Sequence, residues 1–115
     1  MNAKVDTATL KIKFNGKQEL FKKIYDEFSL HIDTVLPEMR TAYEAEDLKT
    51  LEEKAHTLKG NAALIGAIRV KELALEVQEA SSSGNIQSLS GALAQLHDEA
   101  QEALQELSAF ISDQS

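Results

Sequence analysis

The spacing of apolar residues constrains this chain more than any other feature. Phe21, Ile24, Phe28, Ile32, Val35, Met39 and Ala42 recur at steps of three or four, the period of one helix face. The same period returns in Leu48, Leu51, Ala55, Leu58, Ala62 and Ile65. It returns again in Val70, Leu73, Ala74 and Val77, and finally in Leu89, Leu93, Leu96, Ala100, Ala103, Leu107 and Phe110. One Pro and five Gly in 115 residues are too few breakers for the many turns of a sandwich or barrel. At 43% hydrophobic and 27% charged, the chain can bury a core and keep a polar surface. With aromatics at 5% and no Trp, that core is mainly aliphatic. The expected fold class is all-α: an antiparallel up-down-up-down four-helix bundle, one domain over residues 1–115, with a short N-terminal lead segment.

The lead segment reads two ways. Leu10, Ile12 and Phe14 alternate with Lys11 and Lys13, which alone suggests a strand. No second strand signal exists to pair with it, so a lead helix or an extended arm fits better. Asn15-Gly16 marks a turn, with Asn15 as candidate N-cap and Gln18 three residues on. Pro37 falls inside the first stripe, where a proline normally kinks or ends a helix. The stripe keeps phase across it, so one long kinked helix is expected, with a break between His31 and Leu36 as the alternative. Asp47 caps the next helix and Gly66 stops it. Ser81-Ser82-Ser83-Gly84 reads as a loop, and Asn85 as the cap of the last helix.

Bulk charge narrows the function. A net charge of −7 repels phosphate backbones and anionic lipid, so nucleic acid and membrane surfaces are poor partners. The absence of Cys excludes disulfides, thiol catalysis and zinc–cysteine sites. No apolar run reaches the roughly 20 residues of a membrane span. The first residues, Met1 to Asp6, lack the apolar stretch of a signal peptide. A cytoplasmic location and a monomeric state are the expectations.

One residue stands outside this scheme. In helical projection His56 points about 120° away from the centre of its apolar stripe. Lys49, Lys59, Gly60 and Ala63 share that outward face. A glycine inside a helix costs about 1 kcal/mol relative to alanine, and facing solvent it gains no core packing in return. Gly60 and Ala63 leave the imidazole unshielded, so that another protein surface can approach it. Lys59 lies within reach of an anion on the ring. An exposed His is usually just solvated, and a helix Gly sometimes serves only helix packing. Geometry alone leaves both readings open.

The stretch from His56 to Ala67 resembles the signature of histidine-containing phosphotransfer (HPt) domains. That signature runs His-x-Leu-Lys-Gly, then Ala two residues on, then Gly-Ala. Here it is met by His56, Leu58, Lys59, Gly60, Ala62, Gly66 and Ala67. Ala55 before the histidine, Asp47 at the helix start, Phe28 on the long earlier helix and the Ser83-Gly84-Asn85 connection also resemble the family. The likeness extends from about Asp6 to about Phe110. One departure is Val77-Gln78, where many members carry Leu-Glu.

The resemblance implies a phosphocarrier without an ATP site of its own. His56 would take a phosphoryl group from the aspartyl phosphate of one receiver domain and pass it to another. Lys59 would offset phosphoryl charge, while Gly60 and Ala63 would give the receiver steric room. The first helix would help form the docking face, and the lead segment would be a short helix after Asp6. Neutral imidazole is a good nucleophile near pH 7, and a covalent carrier divides one transfer into two. Mg²⁺ for the reaction is expected on the receiver's carboxylates, so neither a metal nor a cofactor is expected here. The partners implied are receiver domains of response regulators or hybrid sensor kinases. One alternative is the phosphoacceptor module of a chemotaxis-type kinase, phosphorylated from ATP by a separate catalytic domain. A docking bundle without chemistry is the other.

Other candidates are weaker. His31 and His97 read as solvated, and three scattered His without Cys make no zinc spacing. Glu44, Glu46, Glu52 and Glu53 read as a solvated acidic face. The glycines never cluster into a phosphate-cradling loop.

Overall fold

The computed structural model describes residues 5–114, and the described residues form five helices and no strand. They are α1 (Thr7–Lys13), α2 (Gln18–Glu44), α3 (Leu48–Ile65), α4 (Ile68–Ser83) and α5 (Ile86–Gln114). Packing closes a ring: α2 lies on α3, α3 on α4, α4 on α5, and α5 again on α2. Inside it sits one aliphatic core, in which Ala55, Ala62, Ala74, Ala100 and Ala103 have no exposed surface. Such small side chains let neighbouring helices approach closely.

The lead segment is a helix. The Asp6 carboxylate accepts from the Thr9 backbone N–H at 3.1 Å and from its hydroxyl at 2.6 Å, which caps α1. The strand-like alternation dissolves here. Leu10 and Phe14, four residues apart, are buried, whereas Ile12 between them is 82% exposed. The Asp6 N–H donates to the Gly66 carbonyl at 2.9 Å and fastens the lead segment to the α3–α4 turn. Phe21 stacks against Phe14 at 5.0 Å and against Phe110 at 5.3 Å, joining the lead segment, α2 and α5.

Two expectations about the connections need correction. Asn15 is not the N-cap of α2; Lys17 holds that position, with no side-chain cap. The Asn15-Gly16 turn, with Gly16 at φ +73°, closes before the helix begins, and Lys17 N–H bonds back to Phe14. Ser81, Ser82 and Ser83 are the last turn of α4 rather than a loop. The buried Ser81 hydroxyl bonds the Val77 carbonyl at 2.7 Å, so the serine is satisfied within the helix. The chain turns only at Gly84, φ +75°. The long helix expected across Pro37 is present: α2 runs through it, without the alternative break between His31 and Leu36. Pro37 and Asp33 face solvent, so water can serve the Asp33 carbonyl that the proline leaves without a donor.

α3 has clear ends. Asp47 accepts from Thr50 N–H at 3.2 Å and from its hydroxyl at 2.7 Å. Gly66 ends the helix at φ +75°, and Ala67 N–H closes the turn onto the Ala62 carbonyl at 2.9 Å. An added Cβ at Gly66 would stand 3.4 Å from two Leu10 side-chain carbons. Before α3, Glu46 adopts φ 55°, a left-handed conformation that glycine takes at lower cost.

His31 departs from its solvated reading. It stands at the edge of the buried stripe beside Ile32, and its Nε2 is buried without a partner. Burial lowers its pKa from the ordinary 6.5; Glu38 opposes the shift and Lys54 adds to it. Lys54 on α3 and Glu38 on α2 form an ion pair at 3.2 Å.

Two measurements check this account. Gly66→Ala forces a side chain into the left-handed region and is expected to lose about 1–2 kcal/mol, while Glu46→Gly relieves the same kind of conformation and gains somewhat less; urea unfolding reads both. The His31 imidazole is harder to protonate folded than unfolded. Its contribution to stability is therefore complete above pH 6.5 and lost as pH falls through the depressed folded value. His31→Leu is expected to flatten that part of the stability–pH curve.

Candidate functional site

The site is organised by the rotation of α3. Leu51, Ala55, Leu58, Ala62 and Ile65 have no exposed surface, which fixes one face of the helix on the core. The opposite side is fixed in consequence. His56, Gly60 and Ala63, at steps of four and three, form one exposed line along the middle and end of α3. Lys59, three residues after His56, is half-buried at the flank of this line, and Lys49 is exposed two turns earlier. Among the described residues neither His56 nor Lys59 is held by a hydrogen bond or an ion pair. Both side chains can turn toward an approaching group.

Gly60 has no packing reason within the chain. A Cβ built there meets nothing within 4 Å, in contrast to Gly66, where the left-handed backbone angle favours glycine. Gly91 on α5 is equally open, so open space alone is not diagnostic. What distinguishes Gly60 is its place one turn from an exposed imidazole. Together Gly60 and Ala63 keep the surface around His56 low, and a folded partner can reach the ring nitrogens.

The remaining titratable candidates do not join this site. His97 is exposed, as expected, and lines a groove of about 430 Å³ between α2 and α5 with Asp33, Leu36, Pro37 and Arg40. Glu44, Glu46 and Glu53 are exposed and Glu52 is half-buried. No group of three or more metal-ligating side chains occurs among the described residues. Sequence reasoning noted Gln78 only as a departure from a pattern. The structure half-buries it and leaves its Oε1 without a partner. Only the packing of α4 on α3 reveals that.

A family model for the Hpt domain matches residues 23–110, a span that includes every residue of the exposed line. The fold is similar to that of histidine-containing phosphotransfer protein B (HptB) from Pseudomonas aeruginosa PAO1. The TM-score is 0.90 at 19% identity, with 98% of each chain covered. At that identity the likeness speaks for the fold. No curated protein matches. With most of its length matched by the family model, the chain belongs to the Hpt domain family, whose members serve histidine phosphotransfer in phosphorelays.

Proposed function

We propose that His56 is the phosphoacceptor and that the chain carries a phosphoryl group between receiver domains. One observation carries the reading: an unshielded imidazole lies opposite a fully buried stripe, beside a helix glycine that the fold does not need. A ring nitrogen of His56 donates its lone pair to phosphorus in the receiver's aspartyl phosphate. The P–O bond to the aspartyl carboxylate breaks and the carboxylate leaves with the electron pair. A second receiver's carboxylate reverses the step, and the imidazole leaves.

Phosphoryl transfer depends on positioning and charge stabilisation more than on covalent machinery. Lys59 supplies the positive charge at the phosphoryl oxygens. Gly60 and Ala63 admit the receiver's surface. Mg²⁺ is held by the receiver's carboxylates, and no ATP site is needed on this chain. The same reading makes residues 1–115 one domain, with neighbouring long helices antiparallel because their connections are short. It also makes the carrier a cytoplasmic monomer that meets receivers one at a time. Consistent with this, no described helix is long and apolar enough to cross a membrane.

The test mixes the protein with a phosphorylated receiver and Mg²⁺, and follows acid-labile, base-stable phosphate. Label is expected on the wild type and none on His56→Gln, whose unfolding midpoint is expected to stay close to wild type because the site is exposed. Label on His56→Gln would refute the assignment. Label that arises only from ATP and a separate kinase catalytic domain would favour the chemotaxis-type reading. Gly60→Leu is expected to slow transfer while keeping or raising helix stability, by up to about 1 kcal/mol. Transfer at the wild-type rate would remove the steric role of Gly60.

A further inference from the structure

The groove between α2 and α5 has no part in the transfer proposed above. Asp33, Leu36, Pro37 and Arg40 of α2 form one wall, and Leu93 and His97 of α5 stand on the other, around a volume of about 430 Å³. Leu93 is buried at the floor and Leu36 is half-buried, whereas Asp33, Arg40 and His97 are exposed at the rim. α5 touches α2 less extensively than it touches α4, which leaves this groove open. Neither wall belongs to α3, and α3 and α5 stand diagonally across the ring of helices. The groove is therefore on a different side of the bundle from the line that begins at His56.

Its polar groups are unused within the chain. Among the described residues neither Asp33 nor Arg40 is held by a hydrogen bond or an ion pair, although the chain has 19 acidic residues to offer an arginine. Pro37 adds a third free group. It has no N–H, so the Asp33 carbonyl lacks its helix donor. Asp33 and Pro37 both line the groove, which places that acceptor on its wall. One end of the groove thus presents a carboxylate and a carbonyl, both acceptors. The other end presents a guanidinium, which only donates. Between them the surface is apolar. Asp33 and Arg40 are seven residues apart, so they point in nearly the same direction and stand about 10 Å apart along the helix.

We propose that this groove docks an amphipathic helix of a partner protein, one that carries a basic and an acidic residue seven positions apart with apolar residues between them. The spacing argues for a helix, since a second helix laid along α2 repeats the same two turns. Its basic side chain donates to the Asp33 carboxylate and to the carbonyl that Pro37 frees. Its apolar residues, three and four positions on, settle against Leu36, Pro37 and Leu93. Its carboxylate meets the fork of the Arg40 guanidinium. A second copy of this chain is a poorer occupant, because one net charge of −7 would then meet another. The docked helix and a receiver at His56 lie on different sides of the bundle, so one carrier holds both at once. The inference does not depend on the assignment of His56.

The experiment uses the full chain and a labelled peptide of about 18 residues, long enough to hold a helix, with Lys-x-x-Leu-Leu-x-x-Glu at its centre. Fluorescence anisotropy reads binding. Two further peptides carry Lys, or Glu, at both ends of the same motif. The Lys–Glu peptide is expected to bind the wild type best, and each of the others about fivefold more weakly, the effect of one lost ion pair. Asp33→Lys is expected to move the preference to the Glu–Glu peptide, and Arg40→Glu to the Lys–Lys peptide. Both positions are exposed, and a gained preference cannot come from unfolding. Glu79→Lys on α4 makes the same change of net charge as Asp33→Lys away from the groove, and is expected to leave the preference unaltered. His56→Gln is expected to bind the Lys–Glu peptide as the wild type does. Absence of binding, equal binding of all three peptides, or preferences that follow net charge rather than position overturn the proposal. So does self-association of the free chain that Asp33→Lys abolishes, which would give the groove to a second copy.

Discussion

Everything functional in this molecule depends on how α3 is rotated about its own axis. Five residues of that helix are wholly excluded from water, and each successive position turns about 100°. A slip of one residue would carry the apolar stripe toward solvent and His56 toward the core. Burying the large aliphatic side chains of the stripe is worth roughly 1.5–3 kcal/mol each, so the rotation is strongly specified. Asp47 and Gly66 then fix where the helix starts and stops. The lead segment, through Asp6 and Leu10, closes over the Gly66 turn. Stability thus sets the direction of His56 without touching it.

That separation suits a carrier. The groups that hold the fold are apolar and lie inside the ring of helices. The groups assigned to the chemistry are polar, lie on its outside and have no partner within the chain. An exposed His56 and a half-exposed Lys59 contribute little to stability in this setting. Gly60 lowers it, by an amount that packing never recovers. Such a surface is poor structure, and on the proposed reading it is good docking ground, because a receiver would bring the metal, the phosphoryl group and the second half of the site. The chain's acidity does not prevent this. Its negative charges are spread over the helices, whereas the line from His56 to Ala63 carries no carboxylate.

Legibility followed the strength of the local signal. Stripes of period three to four placed the core almost completely, because burial on one helix face is what creates such stripes. The HPt-like signature and the outward projection of His56 marked a candidate site, and the structure exposes His56 there. Where the reading failed, tertiary context won over local chemistry. Ser81 to Ser83 looked like a loop by composition, yet Ser81 satisfies its hydroxyl on its own helix and is buried against the core. Asn15 had the side chain of a cap but sat within a turn that Gly16 closes too early. Leu10, Ile12 and Phe14 alternated like a strand, but burial chose only the pair that shares a helix face. Glu46 gave no signal at all, since nothing in a glutamate announces a left-handed angle.

His31 and Gln78 show the limit of reading one helix at a time. Each is polar, each occupies the edge of an apolar stripe, and either could be solvated or buried depending on a neighbour in space. The structure buries a polar atom of both without a partner. The α2 edge has Lys54, which adds to the cost of a charged His31 and makes that position a matter of stability. On the α4 edge the amide of Gln78 is half-buried and its Oε1 has no partner. The difference comes from the register between helices. Register follows from the two-residue Gly66–Ala67 turn, so the short connection that closes α3 also sets which α4 side chains lie against it.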